Sequence, residues 1–114
     1  MSDCTDPVNL RLVFCTCSER NALRMAHVLV DEGVAACVNI MPKVTSVYRW
    51  EGKVCEGKEA LLIIKTTQEQ IKDLTQQILE IHEYSLPEIL VTPISEEDSY
   101  PPYLSWVAQS VGNP

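Results

Sequence analysis

Apolar positions along this chain follow two rhythms, an alternating one and a helical one. Leu10-Arg11-Leu12-Val13-Phe14-Cys15-Thr16 is dense in apolar and branched side chains and predicts a strand. Ser18 is placed as the N-cap of a helix opening at Glu19, with an acidic residue in its first turn. Ala22, Met25, Ala26, Leu29 and Val30 then recur at helical spacing, and Gly33 marks the stop. Residues 35–50 are rich in Val, Ile and Tyr and predict a long strand; Pro42 cannot donate to a sheet ladder, so a bulge or an edge is expected there. Glu51-Gly52-Lys53 is a turn, and residues 54–66 return as the second arm of a hairpin. Thr67, with Gln70 three residues on, predicts a capping box for a second helix over 68–82, whose stripe is Ile71, Leu74, Ile78 and Ile81. A short loop through Pro87 leads to a last strand over 88–93. The acidic turn 95–99 and Pro101-Pro102 follow, and then a short helix carrying Leu104, Trp106 and Val107.

The order is β-α-β-β-α-β with an extra C-terminal helix. This predicts an α+β, ferredoxin-like fold, with residues 1–9 as a loose N-terminal lead and 10–114 as a single domain. Such a sheet carries helices on one face only, so its strands should alternate apolar and polar. Ala60-Leu61-Leu62-Ile63-Ile64 and Ile89-Leu90-Val91 do not alternate; both faces read as buried, and a partner subunit is the expected cover for the second.

Composition narrows the partners. The 114 residues hold 9 Lys and Arg against 16 Asp and Glu, a formal charge of −7, which argues against a surface built to hold nucleic-acid phosphates or an anionic membrane. At 46% hydrophobic, the chain can build a real core. No basic and apolar leader opens the sequence, and no apolar run approaches the ~20 residues needed to cross a bilayer. The odd count of 5 cysteines, with no CxxC, does not describe a disulfide framework and fits a cytoplasmic protein.

Cys15 and Cys17 stand at i and i+2, on one side of a strand, as soft donors for copper or zinc or as ordinary core. Cys37 reads as core; Cys4 and Cys55, in polar surroundings, read as open to solvent. His27 falls inside the first helix with no donors around it. His82, at the end of the second, is either a cap suited to the helix dipole or a metal or ligand contact. Lys65, before Thr66-Thr67 at a helix start, either receives an anion or is simply solvated. No Gly-rich phosphate loop, HExxH or GxSxG is present, and no acid–base pair stands at a telling spacing, so an enzyme is not expected.

Taken together, Thr45-Ser46-Val47-Tyr48-Arg49-Trp50-Glu51-Gly52-Lys53, Ile64-Lys65-Thr66-Thr67, His82-Glu83-Tyr84-Ser85-Leu86-Pro87-Glu88 and Tyr103-Leu104-Ser105-Trp106 resemble the CutA divalent-cation tolerance family. Val34-Ala35-Ala36-Cys37-Val38-Asn39-Ile40 with Pro42 is similar to the same family, so the resemblance runs in order from Leu10 to Val107. It implies a homotrimer of PII-like architecture, linked to divalent cations and above all copper, with metal-ligand roles falling on Cys15 and His82. The family commonly has His-Pro-Tyr where this chain has His82-Glu83-Tyr84, and Ile81 stands where some members carry a second His. The resemblance also implies an inter-subunit cleft gathering Trp50, Lys65, His82, Tyr84 and Glu88, suited to a small anionic ligand. The expectation is therefore a cytoplasmic, trimeric copper-tolerance or copper-binding protein; the alternatives are a trimeric sensor of a small anion and a scaffold selected for stability alone.

Overall fold

The computed structural model describes residues 8–112, so Cys4 and most of the expected N-terminal lead lie outside the described residues. Strand β1 (Leu10–Cys17) leads into helix α1 (Glu19–Asp31); β2 (Cys37–Trp50) and β3 (Lys53–Thr67) form a long hairpin; α2 (Ile71–Ile81) returns to β4 (Leu90–Pro93), and α3 (Pro101–Ser110) closes the chain. The strands stand in the order β2-β3-β1-β4, all antiparallel. This is the ferredoxin-like split βαβ arrangement with an added C-terminal helix, as the hydrophobic rhythm predicts.

One side of the sheet is closed by α1 and α2. Val13, Cys15 and Cys17 of β1 and Ala60, Leu62 and Ile64 of β3 pack there against Ala22, Met25, Leu29, Leu74 and Ile78. The alternate residues point the other way. Register sets Phe14 beside both Ile63 and Leu90, and Thr16 beside Leu61, which also pairs with Met41. Helix α3 covers only one end of this second face, through Leu104 and Val107 packed on Leu10 and Ala36. Farther along, Leu90 is left 60% exposed and Met41 48% exposed. The apolar second face is present, and within the chain its centre is uncovered.

Local details depart from the sequence reading in instructive ways. The expected capping box at Thr67 does not form: Thr67 stays in the ladder opposite Leu10, buried, and makes no side-chain cap. The Gln68 amide is satisfied by the Asn9 carbonyl at 2.8 Å instead, and residues Gln68–Gln70 wind as a 3₁₀ turn before α2 starts. At the other end α2 stops at Ile81, so His82 is an extended C-cap residue and not the last residue of the helix. Val30, expected in the stripe of α1, is exposed; Cys37, expected in the core, is half-buried, as is Cys55. The bulge expected at Pro42 is present as a register shift between Met41 and Val44, with Lys43 at φ 59°. Glu51 and Gly52 both take positive φ, 49° and 79°, the backbone signature of a tight type I′ hairpin turn.

Candidate functional site

The end of β1 and the loop after α2 are fastened together by side chains from four elements. The helix end itself is capped from α1: Arg24 Nη2 donates to the Ile81 carbonyl at 3.1 Å and Asn21 Nδ2 at 3.4 Å. These satisfy an acceptor that the last turn cannot. His82 then lies across β1, its Nε2 2.7 Å from the Thr16 carbonyl, while its Nδ1 lies 3.0 Å from the Tyr84 amide. A carbonyl only accepts and an amide only donates, so Nε2 carries the proton and Nδ1 supplies the lone pair. Both ring nitrogens are thereby engaged by backbone. The Tyr84 ring leans on the imidazole at 4.6 Å between centroids, and its hydroxyl donates to Glu59 Oε1 on β3 at 2.9 Å. Burial, followed by that bond to a carboxylate, pushes the Tyr84 phenol above its ordinary range.

Glu83 faces outward and accepts from the Ser18 hydroxyl and from Arg20 Nη2, 3.3 Å away. The Ser18 bond, then Arg20, holds this exposed carboxyl below the usual carboxylate range. Ser18 thus spends its hydroxyl on the loop and makes no cap bond to its own helix. Beneath this layer Cys15 and Cys17 are fully buried. Burial, reinforced by Cys17 and by the charges of Glu88 and Glu59, pushes the Cys15 thiol up to about 12. Burial and the charges of Glu59 and Glu83 push Cys17 up to about 11. Both are thiols at neutral pH.

This arrangement bears directly on a metal. The Cys15 and Cys17 thiols, the His82 imidazole and the carboxylates of Glu59, Glu83 and Glu88 lie near one end of β1, and thiolate and imidazole are soft donors suited to copper or zinc. As they stand, the thiols keep their protons, His82 has no free lone pair, and among the described residues no group of three or more Cys, His, Asp or Glu is posed to hold an ion. An ion bound by Cys15 and His82 must displace the thiol proton and break a backbone hydrogen bond of the imidazole.

The residues expected to line a cleft divide within the chain. Tyr84 joins His82 and Glu59, and Glu88, half-buried just before β4, lies close enough for its charge to act on Cys15. Lys65 stands elsewhere, on the second face, where its ammonium reaches Asn39 Oδ1 and lies 3.8 Å from Cys37 Sγ. Trp50 ends β2 beside Lys53, an exposed residue at the hairpin tip. At about 3.3 Å per residue, the twelve residues from Lys53 to Lys65 carry Trp50 roughly 40 Å from Lys65. The residues missed by sequence reasoning are Thr16, Glu59 and Arg24, and Ser18, expected as a helix cap, has a different role. Their roles rest on a carbonyl or on contacts across the fold, for which spacing gives no signal.

The chain is a ferredoxin-like α+β protein with an added C-terminal helix and an apolar second sheet face. Residues 11–110 match the family described as CutA1 divalent ion tolerance protein. The chain is 43% identical over 95 residues to the divalent-cation tolerance protein CutA of Thermus thermophilus, covering 83% of this chain and 90% of that one. It is 38% identical over 104 residues to the protein CutA of Mus musculus, of which it spans 58%. The solved Thermus thermophilus structure superposes with a TM-score of 0.86 at 41% identity, over 90% of this chain and 99% of that one. The apo PII-like protein CutA from Nostoc sp. PCC 7120 superposes with a TM-score of 0.85 at 33% identity, over 90% and 97%. The chain belongs to the CutA1 divalent ion tolerance family.

Proposed function

We propose that this chain acts in the cytoplasm as a homotrimer conferring tolerance to divalent cations, with copper as the ion and Cys15 and His82 as its protein ligands. What supports the reading is that His82 is bonded to β1 at Thr16, between Cys15 and Cys17, and that the charges of Glu59, Glu83 and Glu88 act on those thiols. Copper competes well for thiolate and imidazole, and a bound ion favours the ionised thiol that burial otherwise opposes. Carboxylates around the seam concentrate cations near it and complete a donor set that two residues cannot fill. The release of His82 from its backbone partner makes uptake a coupled event, so occupancy changes the loop that joins α2 to β4.

A copper titration of the reduced, metal-free protein followed by native mass spectrometry tests this. A trimer gaining about one copper per subunit, with the gain lost in Cys15→Ala and His82→Ala trimers, is the expected result. Equal loading of the variants overturns it.

A second reading is favoured by the separation of Trp50 from Lys65. In one chain these residues cannot share a ligand, and Tyr84 and Glu88 stand apart from Lys65 as well, whereas a neighbouring hairpin crossing the second face can bring a Trp50 to Lys65. The resulting pocket suits a small anion, sensed in the manner of a PII-like protein. An anionic metabolite that raises the melting temperature, with no shift in Lys65→Ala, is the expected result; identical shifts in both proteins sink this reading.

A further inference from the structure

Cys37 is set apart from the other cysteines by its neighbours. It pairs with Lys65 across β2 and β3, and directly opposed residues in a ladder share one face of the sheet. The Lys65 ammonium lies 3.8 Å from its sulfur, within hydrogen-bonding reach. Burial, followed by the neighbouring Cys37 thiol, raises the phenol of Tyr103 on α3 above its ordinary range. This end of the second face is therefore covered by the chain's own α3, and Cys37 remains half-buried and within reach of a small oxidant. Cys15 and Cys17 lie on the opposite side of the sheet, fully buried and protonated. The Cys55 sulfur, far along β3, donates to the Lys53 carbonyl at 3.8 Å.

We propose that Cys37 and Lys65 form a peroxide-responsive covalent switch, in which oxidation of the sulfur is captured by the lysine amine as a sulfur–nitrogen bond. Hydrogen peroxide takes two electrons from the Cys37 sulfur: the O–O bond breaks, one oxygen remains on sulfur as the sulfenic acid, and the other leaves as water. Lys65, after its ammonium gives a proton to solvent, attacks that sulfur through its lone pair. The S–N bond forms, the S–O bond breaks, and the departing hydroxide takes a proton from nitrogen as a second water. Among the described cysteines, Cys15 and Cys17 lie across the sheet and Cys55 stands ten residues along β3 from Lys65, so the amine, already placed, is the nucleophile nearest the oxidised sulfur. The product ties β2 to β3 and removes the positive charge of Lys65. Excess dithiol reverses it to thiol and amine. The step uses neither copper nor a bound anion, so it stands independently of both.

The test treats the reduced protein, in its native assembly, with hydrogen peroxide at modest excess and follows it by intact mass and peptide mapping. The expected product has lost two hydrogens per chain, joins the peptides holding Cys37 and Lys65, and reverts with dithiothreitol. Dimedone should then label Cys37 strongly in K65M and weakly in the wild type. Equal dimedone labelling of the two proteins overturns the proposal. So does direct passage of wild-type Cys37 to sulfinic acid, a Cys37 disulfide between chains, or a bridge that retains oxygen. The wild-type mass result decides the question even if K65M folds poorly.

Discussion

The Nε2–H of His82 donates to the carbonyl of Thr16 at 2.7 Å, across 66 residues of chain, and pins the end of α2 to the end of β1. The same ring accepts from the Tyr84 amide at 3.0 Å, so one imidazole orders both the strand end and the loop that follows.

His82→Ala should therefore destabilise the fold by about 2 kcal/mol, because one half-buried imidazole leaves both a carbonyl and an amide without partners. His82→Gln, whose amide offers a donor and an acceptor, should recover part of that loss. Urea unfolding of both variants and the wild type at one protein concentration measures this. A His82→Ala protein as stable as wild type would mean that water replaces the ring on both sides.

The buried thiols predict an alkaline weakness. Cys15 and Cys17 keep their protons in the fold to about 12 and about 11, above the ordinary 9.0 at which an unfolded chain releases them. Their contribution is complete below about pH 9 and is lost as pH rises through the folded values, at up to about 1.4 kcal/mol per pH unit for each thiol. Tyr84 adds a loss of the same sign, since its phenol is also raised. Unfolding midpoints measured from pH 7 to 11 should fall steeply in the wild type and less steeply in Cys15→Ala. At pH 8 iodoacetamide should modify Cys55 and Cys37 well before Cys15 or Cys17.

Gly33 is fixed by geometry. It takes φ +74° after α1, and a Cβ there would stand 2.4 Å from the Gly112 carbonyl oxygen. The Gly112 amide in turn donates to the Gly33 carbonyl at 2.9 Å, so the chain end after α3 rests on this turn. Gly33→Ala should cost more than the ~1 kcal/mol of a left-handed backbone alone, because the contacting atom is backbone and the C-terminal segment must move. Gly112→Ala, whose Cβ meets nothing nearer than Gln70 Nε2 at 3.9 Å, should cost only the backbone strain. Thermal unfolding of the two variants should rank them in that order.

The strands and helices were legible because their faces differ in polarity. Leu74 and Ile78 are fully buried, and Ile71 and Ile81 flank them on the predicted stripe. The run at Ala60–Ile64 correctly announced a second apolar face, since Leu62 and Ile64 face the helices while Leu61 and Ile63 point the other way. What failed were inferences from single residues whose partners are remote. Thr67 has the composition of a cap, yet pairing with Leu10 and the nearby Asn9 carbonyl decide its state. Ser18 has a cap's backbone but gives its hydroxyl to Glu83, a contact no local pattern encodes. Likewise Lys65 and Trp50 sit at opposite ends of the hairpin, which a list of polar residues near strand ends does not reveal.

The uncovered centre of the sheet carries the last prediction. Phe14, Ile63 and Leu90 sit side by side on adjacent strands, on the face opposite α1 and α2. Leu90 and Met41 remain substantially exposed in a single subunit, a contiguous apolar surface of the kind that an assembly covers. If a neighbouring subunit covers it, Ile63→Asp places an unpaired carboxylate in that contact, at a cost of several kcal/mol. The helix-side core does not include Ile63, so the subunit itself should keep its secondary structure. Sedimentation equilibrium should then show a trimer for the wild type and a monomer for Ile63→Asp with an unchanged far-ultraviolet spectrum. A variant that stays trimeric would place the interface elsewhere, on the long hairpin alone.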